Sequence, residues 1–304
     1  ITILAIAALL AVAPVGLFAL RQPRRFFART QTTSVFKDKT REQAIQAVRA
    51  NAVKHFLMFN HRGDGNGRHN LPGEPMLDFM TSVFFVLGLW YSLYRWKDPR
   101  YSFLVVSFLV MICGGVFSLD FEAPQSLRAV GTLPISHLIA FVAIARLWRE
   151  FDFSFGVRRS RYAWGAVLLL LAYIGYTNIQ IYFVEQARDF ASWNAHSTPE
   201  TFVARRMVAM GKDYDYRVIS LYYQTPTVRF LAPDIGSTRR LETTDSMPLY
   251  ETSDRDTVIF IDAERRALYE DVRRFYPEGR YEEIKPPFGG PTILYICHLT
   301  PAQI

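Results

Sequence analysis

The sequence predicts a multi-span α-helical membrane domain, with about five spans, followed by an extracytoplasmic α/β domain. Three observations lead there. Five apolar runs approach the length that carries a helix across a bilayer, roughly 20 residues. Charge divides along the chain: residues 1–184 hold 20 Lys+Arg against 10 Asp+Glu, and residues 185–304 hold 15 against 18. The pattern also changes after Val184, from long apolar runs to short β-branched stretches alternating with amphipathic ones. A basic, apolar part followed by a mildly acidic one reads as a membrane region and a soluble domain, 1–184 and 185–304.

The apolar runs are Ile1–Leu20, Met76–Tyr94, Tyr101–Leu119, Ala129–Trp148 and Tyr162–Val184. The first lacks the basic start and clear cleavage site of a signal peptide, so it reads as a span. The fourth carries Pro134 near its first turn, where proline is tolerated, together with Ser136 and His137. His137 reads as a packed polar residue rather than a ligand.

Loop charge sets the orientation. Arg95–Arg100 holds three basic residues and one acidic, and Arg149–Arg161 holds four and two, so both belong inside. Asp120–Arg128 holds one basic and two acidic residues and belongs outside. That alternation puts loop 21–75 and the C-terminal domain outside, against the basic segment Arg21–Arg29, which the other loops outvote.

Within the outer loop, Thr40 and Gln43 fit a capping box. Ile45, Val48, Ala52, Phe56 and Phe59 then recur at helical spacing. Two readings stay open: an amphipathic helix in the membrane interface, or a helix packed on the membrane domain.

In the tail, 184–196 and 199–212 read as helices, with Thr198 as a cap for the second. Tyr216–Tyr223, Asp256–Ala263 and 290–299 read as strands, and 264–277 as a helix ended by Pro277. Strands alternating with helices predict a small parallel sheet in a layered domain. Cys113 lies in an apolar run and Cys297 in a strand, so no disulfide is expected. The positive charge flanks apolar segments and no zinc-finger, RNP or homeodomain pattern is present, so nucleic acid is not expected as a partner.

The most informative stretch is His61–Asp78, HRGDGNGRHNLPGEPMLD. Gly63, Gly65 and Gly67 permit a sharp turn that displays Arg62, Asp64, Asn66, Arg68, His69 and Asn70. A calcium loop fails because Arg68 and Pro75 fall on its fifth and twelfth positions. The dinucleotide fingerprint fails because Arg68 replaces its third glycine. No ligand spacing supports a metal on His61, Asp64 and His69, although a divalent metal stays open as a cofactor. Guanidinium forks suit phosphate, and amides with a carboxylate suit hydroxyls. The bland alternative is a helix-entry loop that satisfies its own backbone. Asp78 reads as the cap of the following helix, and Arg128 either meets lipid phosphate or pairs with Glu122 or Asp120. In the tail, the segment 256–266 lacks the glycine-rich turn of a phosphate site, so it reads as a packing strand and its helix.

The run 58–78, with WKDPRY and EAPQSLRAVGTLP after the next spans and FFARTQTTSVF upstream, resembles glycosyltransferase family 39 of the GT-C superfamily. That family includes relatives of protein O-mannosyltransferases and aminoarabinose transferases. The resemblance covers about Ile1 to Trp148 and is looser over the tail. It implies a membrane enzyme that moves a sugar from a polyprenyl-phosphate carrier to a protein or glycolipid acceptor, with inversion, at the outer face. It implies that Arg62, Asp64, Asn66, Arg68, His69, Asn70 and Arg128 line the substrate cavity. The family's catalytic base lies in an earlier outer loop. The chain is therefore expected to be the C-terminal part of such an enzyme, with its catalytic residue unknown. Two rival classes are a non-enzymatic membrane subunit that binds a partner through its tail, and a transporter of lipid-linked sugar. The first predicts that losing Arg62, Asp64 or Arg68 leaves sugar transfer untouched. The second predicts polar residues deep within several spans.

Overall fold

A computed structural model describes residues 2–155, 160–233, 238–241, 247–249 and 254–304. The chain forms two compact units, Ile1–Gln186 and Ala187–Ile304. The first is helical: α1 (Thr2–Arg21), α2 (Pro23–Thr33), α3 (Arg41–Leu57), α4 (Phe79–Tyr94), α5 (Pro99–Val116), α6 (Thr132–Phe155) and α7 (Ser160–Ile179). A π-turn, Gln180–Glu185, and a last turn, α8 (Gln186–Arg188), prolong α7. The expected inner loop Arg149–Arg161 lies partly outside the described residues.

Among the described residues, two helices are long and apolar enough to cross a membrane, Pro99–Val116 and Tyr162–Arg188. Ile6–Arg21 and Pro23–Thr33 make a third if the pair, bent by 90°, counts as one span. Helix α4 is apolar but shorter. Helix α6 carries Ser136, His137, Arg146 and Arg149, which dilute its apolar character.

The starts of these helices follow local chemistry. Asp78 caps α4, its carboxylate accepting from the Thr81 amide at 3.0 Å and the Thr81 hydroxyl at 2.6 Å. Asp98 caps α5, with Pro99 at the first helical position. The Thr40 box closes in both directions. Tertiary packing centres on Phe59, Phe85 and Phe108, whose rings lie 5.1–5.5 Å apart, joined by Met58, Leu77, Ile112 and Ile139. Gly88 lets α4 press onto α6, because a β-carbon there would collide with the Ile139 carbonyl.

Helix α3 departs from the expected stripe. It buries Ala44, Ala47, Asn51 and His55, and leaves Ile45 and Phe56 exposed. The polar pair is drawn in by unpaired backbone at the end of α5 and in the next loop. Asn51 Nδ2 donates to the carbonyls of Val116 and Ser118. His55 takes Nδ1 to the Asn51 carbonyl and accepts the Gln125 amide on Nε2. His137 also departs from expectation: it is exposed on α6, bonded back to the Leu133 carbonyl.

The second unit is a five-stranded mixed sheet. Its strands are β1 (Asp215–Ile219), β2 (Thr238–Leu241), β3 (Thr257–Asp262), β4 (Arg280–Ile284) and β5 (Leu294–Leu299). The order is β2-β1-β3-β5-β4. β1 runs parallel to β2 and β3, whereas β5 is antiparallel to both β3 and β4. The sheet is thus mixed rather than parallel, because the last connection is a hairpin-type return. β1 and β3 are buried along their whole length, as strands covered on both faces must be.

The helices are α9 (Phe190–Asn194), α10 (Thr198–Met210), α11 (Ser220–Gln224), α12 (Pro226–Leu231) and α13 (Arg266–Phe275). Three local expectations change. Ser197, with φ 56°, precedes α10, and Thr198 is its first residue, bonded to the Trp193 carbonyl instead of capping. β1 stops at Ile219, and Ser220–Gln224 turns into helix, so the run Tyr216–Tyr223 is half strand. β2 and β4 are short, charged edge strands with no apolar signature.

Candidate functional site

The loop between α3 and α4 is built on itself. Its base is pinned where the Met76 amide donates to the Met58 carbonyl (2.9 Å) and the Leu77 amide to the Phe59 carbonyl (3.2 Å). Higher up, the Gly63 amide meets the Gly73 carbonyl and the Gly73 amide meets the Asp64 carbonyl. Gly73 adopts φ +82°, which favours glycine. Gly63 has no room for a β-carbon, which would collide with the Glu74 carbonyl.

At the centre sits Asp64, 1% exposed. Its Oδ1 accepts the Asn66 amide at 2.8 Å. Its Oδ2 accepts the Ser126 amide and hydroxyl, both at 2.8 Å, and faces His69 Nδ1 at 3.0 Å. One buried carboxylate therefore joins this loop to the loop before α6. The imidazole of His69 is oriented through Nδ1, which leaves Nε2 as its second donor or acceptor.

The predicted site residues separate into distinct roles. Arg68 and His69 come together, with Ser126, on a cavity of about 270 Å³. Its remaining walls are mostly apolar, among them Phe59, Leu127, Val130 and Leu133, with Thr132 and Ser136 also on it. Arg62 lies on another cavity, of about 400 Å³, beside Lys54 and His61. Asn66 and Asn70 serve the loop: Asn66 Oδ1 accepts the Arg68 amide, and Asn70 Nδ2 donates to the Glu74 carbonyl. Arg128 lines neither cavity. It pairs with Glu122 at 3.0 Å, and its buried Nη1 has no hydrogen-bond partner.

A guanidinium and an oriented imidazole thus share one cleft with mostly apolar side chains. Among the described residues, no three His, Cys, Asp or Glu side chains converge as a metal site.

Sequence reasoning missed Ser126, Gln125, Asn51 and His55. One signal was available: Asn51 and His55 stand at i, i+4 on the face begun by Ala44 and Ala47. Burial lowers the pKa of His55 below its usual 6.5, only partly offset by its bond to the Asn51 carbonyl. Its neutral ring thus has a defined tautomer, with Nδ1–H donating and Nε2 accepting. Gly115 permits this contact, because a β-carbon there would strike the ring. Compared with family models, curated proteins and solved structures, the chain matches none of them.

Proposed function

We propose that this chain works in membrane glycosyl transfer, holding a polyprenyl-phosphate-linked sugar at the outer face for delivery to a protein or glycolipid acceptor. The observation that carries the reading is one cleft lined by Arg68 and His69 together with mostly apolar side chains. A prenyl chain takes the apolar part, and its phosphate takes the guanidinium. The sugar lies toward the loop's amides.

Membrane residence is part of the proposal. Helix α7 carries Leu168, Leu169, Leu171 and Ile179 exposed, and its apolar window has none of its residues buried. A patch of that kind on a soluble monomer is costly and marks a surface meant for lipid or protein. The rest of the proposed multi-span domain rests on the apolar runs, and the placement of the C-terminal unit outside on loop charge.

The test is sugar transfer in native membranes from a radiolabelled polyprenyl-phosphate sugar. Arg68→Ala removes the cation and leaves the Asp64 bonds in place. It is expected to lower transfer about tenfold or more, the scale of one lost charge-assisted hydrogen bond. Unchanged transfer in that variant would sink the reading and favour an accessory subunit.

A further inference from the structure

In the second unit, the strand connections part company at one place. From β1 the chain moves through α11 and α12 to β2 on one side, and from β3 it moves through α13 to β4 on the other. Crossovers between parallel strands are right-handed, so these two connections leave on opposite faces of the sheet. The carboxyl ends of β1 and β3 therefore flank a topological switch point, where open α/β sheets hold ligands.

A cavity of about 410 Å³ lies there. Tyr222, two residues into α11, comes from the β1 side, and Asp262 and Glu264 come from the β3 side. Phe190, Asn194 and Glu200 join it from α9 and the first turn of α10, and residues 291–293 from the segment before β5. The polar groups are unevenly matched. Tyr222 is 1% exposed, and its hydroxyl has no hydrogen-bond partner. Asn194 Oδ1, also buried, has none. An unpartnered buried hydroxyl is costly, so a native structure that retains one needs a reason. Burial pushes the phenol pKa up, with Asp262 and Glu200 adding to the effect, so Tyr222 stays protonated.

The chemistry of the lining narrows the ligand. Asp262 is engaged by the Arg265 amide and side chain, and among the described residues no Lys or Arg lines the cavity. Three carboxylates repel phosphates and uronates. Acceptors exceed donors, so the ligand must be rich in hydroxyl donors. Phe190 adds apolar surface for C–H groups.

We propose that this cavity binds an unphosphorylated, non-acidic saccharide unit. Its hydroxyls bond to Asn194, Glu200 and Tyr222. The proposal concerns the second unit alone and does not depend on the transfer reading above.

The test uses the full chain in lipid nanodiscs, which avoids sugar-headed detergents. Saturation-transfer difference NMR is recorded with free methyl hexosides and N-acetylhexosamines, and with hexose 6-phosphates as comparison. Neutral sugars should give signals, and the phosphates should give much weaker ones. Tyr222→Phe deletes only the unpartnered hydroxyl and should weaken binding about tenfold while the protein unfolds no earlier. Glu200→Gln, isosteric, should also weaken it. The proposal is overturned if no neutral sugar binds, if the phosphates bind equally well, or if neither variant changes the signal. Each of those outcomes leaves the Arg68 experiment to be decided separately.

Discussion

The loop of the helical unit and the cavity of the α/β unit treat buried polar groups in opposite ways. Asp64 receives hydrogen bonds from Asn66, Ser126 and His69 until both oxygens are engaged. Tyr222 is as deeply buried, yet its hydroxyl meets nothing. The bonds of Asp64 hold architecture in place, whereas the Tyr222 hydroxyl has no partner within the chain, a cost that a native structure needs a reason to retain. Asp64, so engaged, positions the loop. Arg68 and His69, held beside it, are the groups turned toward the cleft.

The sharpest way to break the contrast is Asp64→Ala. It strands the Ser126 and Asn66 amides and the His69 ring together, so the loss should be about 3–5 kcal/mol, the sum of several buried donors each left unpaired at a cost of about 1–3 kcal/mol. Thermal unfolding of the full chain reads this directly. A variant as stable as the wild type would show that Asp64 is no hub. Under the same conditions Tyr222→Phe should cost nothing, which is the other half of the comparison.

A smaller loss tests the loop's backbone. Gly63→Ala forces a β-carbon against the Glu74 carbonyl and should cost about 1–3 kcal/mol, the range for overpacking. Retained stability would mean that the crossing of residues 63 and 73 yields easily.

The third test uses pH. The pKa of folded His55 is lowered, chiefly by burial, so below its unfolded value of about 6.5 the unfolded chain binds more protons than the folded one. Stability from this group is complete above that value and is lost as pH falls. His298 in β5, also lowered by burial, acts in the same sense within the other unit. Thermal unfolding at about pH 7.5 and about pH 5.5 should therefore show an acid loss that His55→Gln reduces without abolishing. An undiminished loss in the variant would exclude His55 as a contributor.

Much of the local structure was legible. Thr40 with Gln43, Asp78 with Thr81, and Asp98 before Pro99 announce helix starts through contacts three residues apart or fewer. The buried β3 was equally plain, a run of β-branched and aromatic residues. β2 and β4 were not, because their charged sequences become strands only when a neighbour supplies the ladder. The end of β1 was misplaced for a related reason: Leu221–Tyr223 has strand composition but turns into helix where the sheet ends.

The sequence by itself determined where α3, α4 and α5 begin, where the apolar runs lie, how charge divides, and that residues 61–78 form a glycine-rich polar loop, although Gly73, and not Gly63, Gly65 or Gly67, takes the positive φ. These rest on interactions within a few residues. Tertiary structure alone decided that Asp64 is saturated by Ser126, 62 positions away, and that Arg68 rather than Arg128 reaches the cleft. It also decided that Tyr222, Asp262 and Asn194 share one cavity. Burial and hydrogen-bond satisfaction depend on partners distant along the chain, and local pattern carries no record of them.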